Sequence, residues 1–71
     1  MLIALALIRA KIRQVESLLE QEREAYAAMK DKDSRAAWFR DGLIHGYVGW
    51  KESLEMLHAR IEAKIEQETE A

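Results

Sequence analysis

The chain has 71 residues, of which 13 are acidic and 11 are basic, and its formal charge at pH 7 is −2. This length allows one small domain, and the acidic balance argues against a phosphate backbone as the main partner, because that binding depends on Lys and Arg. The sequence contains no cysteine, which excludes disulfides and thiolate chemistry. Hydrophobic residues make up 49% and charged residues 34%, a composition that excludes a disordered chain and favours long, charged helices.

The first predicted element is a helix over about residues 2–30. Its apolar side chains recur at alternating spacings of three and four, the pattern of a heptad seam: Leu5, Ile8, Ile12, Val15, Leu19, Tyr26 and Met29. The opening apolar run, residues 1–8, is about 12 Å long as a helix, too short for a bilayer core of about 30 Å. Basic residues follow this run instead of preceding it, so we expect no secretory signal and a soluble, cytoplasmic protein.

A break in the apolar pattern follows at residues 31–34, where Asp33 and Ser34 are favourable N-cap residues. We therefore expect a turn there and a second helix over about residues 34–68. Three glycines fall within residues 42–49, and two interpretations stay open: a helix that is continuous or kinked, and a helix broken by a loop. The apolar stripe of this second helix comprises Phe39, Leu43, Tyr47, Trp50, Leu54, Leu57, Ile61 and Ile65.

The two apolar stripes meet when the chain folds back at the turn. Tyr26 then lies opposite Phe39 near the turn, Leu5 lies opposite Ile61 at the far end, and the register closes over the whole length. A short connection between two long amphipathic helices is typical of antiparallel neighbours. We therefore predict an all-α fold in which residues 1–71 form a single helical hairpin.

Several apolar residues lie off the predicted seam and stay uncovered by one hairpin. Two hairpins that associate into a four-helix bundle would bury them and double the core, so we expect a homodimer. Cover by another protein, or by a membrane surface, is the alternative. The residues expected to form these dimer or apolar-end contacts are Leu2, Ile3, Leu7, Ile44 and Val48.

The glycines of the second helix predict a groove without side chains, since their spacing of four and three places them in one narrow sector. A Trp and a Met recur at helical spacing beside this groove, and both residue types are common at binding surfaces. Two interpretations stay open for this face: a docking site for a protein partner, and the dimer interface itself. The predicted partner-binding residues are Trp38, Gly42, His45, Gly46, Gly49 and Met56.

Catalysis and metal binding find little support in the sequence. Glu55 and His58 have the Glu-x-x-His spacing of di-iron bundles, but the predicted interior belongs to their apolar neighbours, so we expect a solvated pair. Glu22 is the one ionisable residue at a seam position and is expected to set the register, with Arg40 or Tyr47 nearby. We predict no enzymatic activity, no cofactor and no metal site.

In size and layout the chain resembles small helical-hairpin proteins that dimerise into four-helix bundles, such as plasmid copy-number regulators, and short helical inhibitors of bacteria and phages. No functional motif matches, so the resemblance implies architecture and no site residues. The leading functional hypothesis is a non-enzymatic module that binds and modulates, or inhibits, a larger protein. The alternatives are a structural or assembly subunit, and a nucleic-acid-associated regulator that uses the basic residues Arg9, Lys11 and Arg13. Given the acidic total, a solvated or salt-paired helix face is the preferred interpretation of these three residues.

Overall fold

The structure is a computed structural model that describes residues 2–70, and it forms a long two-helix hairpin. Helix α1 spans Leu2–Ala28 and helix α2 spans Arg35–Glu70. The Cα atoms extend over 57 × 15 × 12 Å, so the hairpin is as long as its longer helix, two helices wide and one helix thick. The predicted all-α hairpin is confirmed, and both helices end within two residues of the predicted bounds.

The end of α1 is fixed by a lysine from the connecting segment. The Nζ atom of Lys32 donates to the backbone oxygen of Met29 at 2.9 Å and also to that of Tyr26. The same ammonium lies 4.5 Å from the centroid of the Tyr26 ring. The last carbonyl groups of a helix have no partner within the helix, and a cation placed there satisfies them and opposes the negative end of the helix dipole.

The start of α2 is fixed by the predicted N-cap. The Ser34 hydroxyl oxygen accepts a hydrogen bond from the backbone N–H of Ala37 at 3.1 Å, and the hydroxyl donates to the backbone oxygen of Asp31 at 3.0 Å. Asp31 also accepts from the backbone N–H of Asp33 at 2.9 Å, which tightens the turn. These bonds satisfy donors that a helix start leaves unpaired, and so they bring the chain back along α1 within six residues.

Helix α2 runs without a break through its three glycines, so the loop considered for residues 42–49 does not form. None of the described residues, glycine or other, has a positive φ. Glycine lowers the stability of a helix interior by about 1 kcal/mol relative to alanine, yet the helix on both sides is long enough to tolerate this cost. The backbone of this segment is therefore a regular helical surface.

The core lies along the seam predicted for α1. Leu5, Val15 and Leu19 are buried there, Val15 completely, and Ala37 of α2 is completely buried near the turn. The other predicted seam residues of α1 are half-buried: Ile8, Ile12, Tyr26 and Met29. The heptad interpretation of α1 is confirmed by this burial. Four buried side chains are nevertheless a small core for a chain of this length.

The stripe predicted for α2 is partly wrong, because α2 is turned about its axis relative to the prediction. Phe39 is 68% exposed, and Trp50 and Leu57 are also exposed. Ile44 and Val48, which we expected to lie off the seam, are instead half-buried on the side that faces α1. The other five members of the predicted stripe are half-buried, as a seam position requires: Leu43, Tyr47, Leu54, Ile61 and Ile65.

The physical reason for this rotation is a set of polar contacts between the helices. Arg40 donates to the carboxylate of Glu22 at 2.8 Å, which confirms the contact expected for Glu22. Lys51 lies 3.6 Å from the carboxylate of Glu16. Arg40 and Lys51 are eleven residues apart, three turns of one helix face, and Ile44 and Val48 lie between them on that face. A prediction based only on the spacing of apolar residues ignores these charged side chains, and it therefore selects a neighbouring face of α2.

Replacing Leu19 with Ala is expected to lower the free energy of unfolding by about 2–5 kcal/mol, because it leaves a cavity in a core that has few other buried side chains. The measurement is urea denaturation followed by circular dichroism at 222 nm. Leu2→Ala is the matched control, since Leu2 is 74% exposed and its loss should change stability by no more than about 0.5 kcal/mol. Equal effects of both variants would contradict the described core.

Candidate protein-docking surfaces

The hairpin leaves an unusual number of large apolar side chains in contact with solvent. Trp38 is 80% exposed and Met56 is 59% exposed, although both residue types are costly to hydrate. Contiguous apolar surface of this kind on a small protein marks sites of association. The exposed set comprises Leu2, Ile3, Leu7, Trp38, Phe39, Trp50, Met56 and Leu57.

An apolar depression, which we call the aromatic groove, lies along α2. Gly42 and Gly46 form its floor, one helical turn apart, and aromatic rings rise on both sides. Its volume is about 460 Å³. A concave apolar surface with a backbone floor suits a packed side chain or a closely crossing helix. The groove is lined by Trp38, Phe39, Gly42, Leu43, Gly46, Tyr47 and Trp50.

The packing of the hairpin does not account for the glycines of α2. A Cβ atom added to Gly42, Gly46 or Gly49 would meet no atom within 4 Å. Alanine would therefore fit at each position and would raise the helix propensity. Since α1 makes no use of the missing side chains, any benefit of these glycines concerns something that approaches α2 from outside the hairpin.

The structure separates the predicted partner-binding residues into two neighbouring surfaces. Trp38, Gly42 and Gly46 line the aromatic groove. His45, Gly49 and Met56 are exposed but do not line it. With Trp38 at its edge, this second surface forms an exposed strip at helical spacing, which we call the outer stripe: Trp38, His45, Gly49 and Met56.

Four groove residues were missed as site residues because their spacing assigned them to the hairpin core: Phe39, Leu43, Tyr47 and Trp50. A signal for the correct face was present in the sequence. Arg40 and Lys51 lie on the same helix face as Ile44 and Val48, and Glu22 and Glu16 of α1 are available to pair with them in an antiparallel hairpin. A prediction that considers charge pairing together with apolar spacing therefore assigns the face of Arg40 and Lys51 to the contact with α1.

The two broad faces of the hairpin differ in character. The Lys11 ammonium lies 4.9 Å from the centroid of the Trp50 ring, so these residues share one side of the molecule. Ile3 and Leu7 precede Lys11 at spacings of four, and Phe39, Leu43 and Leu57 share the helical phase of Trp50. We call this side the open face, and its principal residues are Ile3, Leu7, Phe39, Leu43, Trp50 and Leu57.

The opposite side of the hairpin is the charged face. A shallow depression of about 480 Å³ lies on it between the helices, and Leu19 is its one apolar lining residue. Lys51 there lies close to two carboxylates, those of Glu16 and Glu55, at 3.6 and 3.7 Å. The charged side chains of this face are exposed to water, so salt screens the interactions between them. The other lining residues are Glu16, Glu20, Arg23, Glu24 and Lys51.

The predicted apolar end is divided between the two sides. Leu2 borders a small cleft of about 190 Å³ together with Arg9, Glu62 and Ile65, on the side away from Ile3. Ile3 and Leu7 belong to the open face instead. Leu2, Ile3 and Leu7 therefore lie on different sides of the first turns, because successive residues of a helix point about 100° apart. That they form dimer or apolar-end contacts stays a prediction.

His58 is held in a structural contact. The Arg9 Nε–H group can only donate, so His58 Nε2 accepts from it at 2.9 Å and the ring proton sits on Nδ1, 2.5 Å from a carboxylate oxygen of Glu62. Glu55 contacts Lys51 instead of His58, so the expected Glu55–His58 pair is corrected. Among residues 2–70, no group of three or more His, Cys, Asp or Glu side chains is arranged to hold a metal ion.

Two of the three basic residues predicted near the start of α1, Arg9 and Lys11, take part in intramolecular contacts, and Arg13 is exposed. Arg9 donates a hydrogen bond to His58, and Lys11 contacts the Trp50 ring and donates to the side-chain oxygen of Gln14 at 3.2 Å.

Within the described part of the chain, neither helix contains a stretch long and apolar enough to cross a membrane. Comparison of the chain with family models, curated proteins and solved structures gives no match.

Gly49→Ala is expected to raise the free energy of unfolding by about 0.5–1 kcal/mol, because the new Cβ meets no atom and the helix gains propensity. The reciprocal change Ala59→Gly, at an exposed position of the same helix, should lower it by a similar amount. Both are measured by chemical denaturation. Destabilisation by Gly49→Ala would mean that something packs closely on this glycine.

Proposed function

We propose that this chain is a non-enzymatic helical interaction module of the small-regulator type found in bacteria and phages. It acts as a homodimer and binds a larger protein, whose activity it modulates or inhibits. The observation that carries the proposal is the display of large apolar side chains on α2 that the hairpin does not use, on the open face and along the outer stripe.

The outer stripe supports the binding of a protein partner. Trp38 and Met56 are both more than half exposed and lie at the same helical phase, five turns of α2 apart. Tryptophan is enriched among residues that contribute most to binding, and methionine adapts its shape to different partners. His45 lies between them, with its Nδ1 atom 2.8 Å from the backbone oxygen of Asp41, and adds a polar group at the centre of the strip.

The limited core supports the homodimer. Only Leu5, Val15, Leu19 and Ala37 are buried among the described residues, and chains of this size normally need association or cross-links for stable folding. The sequence provides no cysteine for a disulfide. A second copy is a partner that is present wherever the chain is made, and it would cover apolar surface that one hairpin cannot cover.

The alternative of a nucleic-acid-associated regulator has weaker support. Arg9 and Lys11 contact His58 and the Trp50 ring, so binding to phosphates would compete with contacts that hold the helices together. Nucleic-acid affinity that depends on neutralised phosphates falls steeply with salt, so salt-sensitive retention on nucleic acid would favour this alternative. A structural or assembly subunit would use the same surfaces as the proposed module.

The protein is expected to be dimeric in solution at micromolar concentration. Light scattering after gel filtration should give a mass of about 16 kDa, twice the 8.2 kDa of one chain. Helicity measured by circular dichroism should fall on dilution, because folding and association support each other. A helical species of one-chain mass at micromolar concentration would contradict the homodimer.

Replacing Trp38 and Met56 together with Ala is expected to abolish capture of the partner from the native host, because both side chains would be buried on binding. Quantitative mass spectrometry compares the captured proteins with those retained by the unchanged chain. The matched control is the double variant Glu20→Ala, Glu24→Ala on the charged face, which should retain the partner. Equal capture by both variants would remove the outer stripe from the proposal.

A further inference from the structure

We propose that the open face is the surface on which the second copy docks, with two hairpins facing each other and the aromatic groove at the contact. This inference rests on the homodimer proposed above and adds its location. It leaves the charged face and the outer-stripe residues His45, Gly49 and Met56 directed outward, where a larger partner can reach them, while Trp38 borders both surfaces. Three observations carry it: the apolar area, the distribution of charge and the glycine floor.

The apolar area of the open face is close to what a stable dimer needs. Its five most exposed residues carry roughly 600 Å² of accessible surface per copy, taking a large side chain at about 150–250 Å². The half-buried residues Leu43 and Tyr47 line the aromatic groove and add to this area. A standard interface buries about 800 Å² per partner. The five residues are Ile3, Leu7, Phe39, Trp50 and Leu57.

The distribution of charge also favours the open face. A twofold axis places the same surface of both copies in contact, so the charged residues of that surface must lose water on both sides. The charged face carries five charged side chains that would have to be desolvated, and one apolar residue: Glu16, Glu20, Arg23, Glu24 and Lys51, with Leu19. The α1 flank of the open face carries the neutral residues Gln14 and Gln21 instead. Its central cation, Lys11, lies over the Trp50 ring, which lowers the cost of covering it.

The glycine floor explains how the second copy can come close. Gly42 and Gly46 are one turn apart at the bottom of the groove, and they leave the α2 backbone bare between aromatic walls. A helix or a large side chain of the second copy can then pack directly on this backbone, closer than other residues would allow. Gly49 is equally open but lies outside the groove lining. Gly49 therefore serves as the control position for Gly46 in substitutions that fill the groove.

The first test compares two adjacent residues of α2 that differ in face. Leu57 is 46% exposed and lies on the open face, while Met56 lies on the outer stripe. Leu57→Glu should raise the dimer Kd at least tenfold, about 1.4 kcal/mol, because it introduces a charge into the contact. Met56→Glu should leave it within about threefold of the unchanged protein. Sedimentation equilibrium over a range of concentrations gives both constants.

The second test fills the groove without adding charge. Gly46→Leu should weaken the dimer at least tenfold, and Gly49→Leu should have little effect on the dimer Kd. Circular dichroism at high protein concentration distinguishes the cases: a variant whose helicity returns on concentration is impaired in association and not in its helices. Leu at either position favours the helix more than glycine does, so loss of dimer cannot be attributed to helix propensity.

The outcomes separate this inference from the proposal on which it rests. A dimer lost in Met56→Glu or Gly49→Leu, and kept in Leu57→Glu and Gly46→Leu, overturns the open face and leaves the homodimer standing. A dimer kept in all four variants likewise overturns the open face. An unchanged protein that sediments as a helical monomer overturns both.

Discussion

The pairing of Arg40 and Lys51 with the carboxylates of Glu22 and Glu16 is the constraint on which the rest of the structure depends. Glu22 stands at a seam position of α1 and is partly shielded from water, where an unpaired carboxylate is costly. Arg40 and Lys51 satisfy these acids only if α2 presents their face to α1. That orientation also places the small Ala37 against α1 near the turn, and it directs Phe39, Trp50 and Leu57 away from the hairpin.

The same rotation links folding to association. Apolar residues that would complete the core of a single hairpin lie instead on its open face, so the hairpin alone buries few side chains. In the proposed dimer they become the core between two hairpins, and the cross-helix ion pairs remain at its edge. Association then supplies the stability, while His45, Gly49 and Met56 of the outer stripe stay free for a larger partner. The glycines of α2 fit this arrangement, since they favour contact with another chain over the stability of the isolated helix.

Much of the fold follows directly from the sequence, and particular residues show why. The spacing of Leu5, Val15 and Leu19 predicts the buried side of α1, because α1 has one dominant apolar stripe. Ser34 predicts the start of α2 by its capping chemistry, which is local. The candidate site was predictable only in part. Trp38, Gly42 and Gly46 were recognised by residue type, but Phe39 and Trp50 were assigned to the core, since α2 carries apolar residues on two neighbouring faces.

The sequence by itself determined the two helices, the turn between them, their antiparallel pairing and the presence of unpaired apolar surface. These depend on local propensity, on capping and on apolar periodicity, all of which act within one helix or between nearest neighbours. Only the tertiary structure decided which face of α2 meets α1. That choice balances apolar burial on one face of α2 against ion pairs on the adjacent face, and the balance exists only when both helices are in contact.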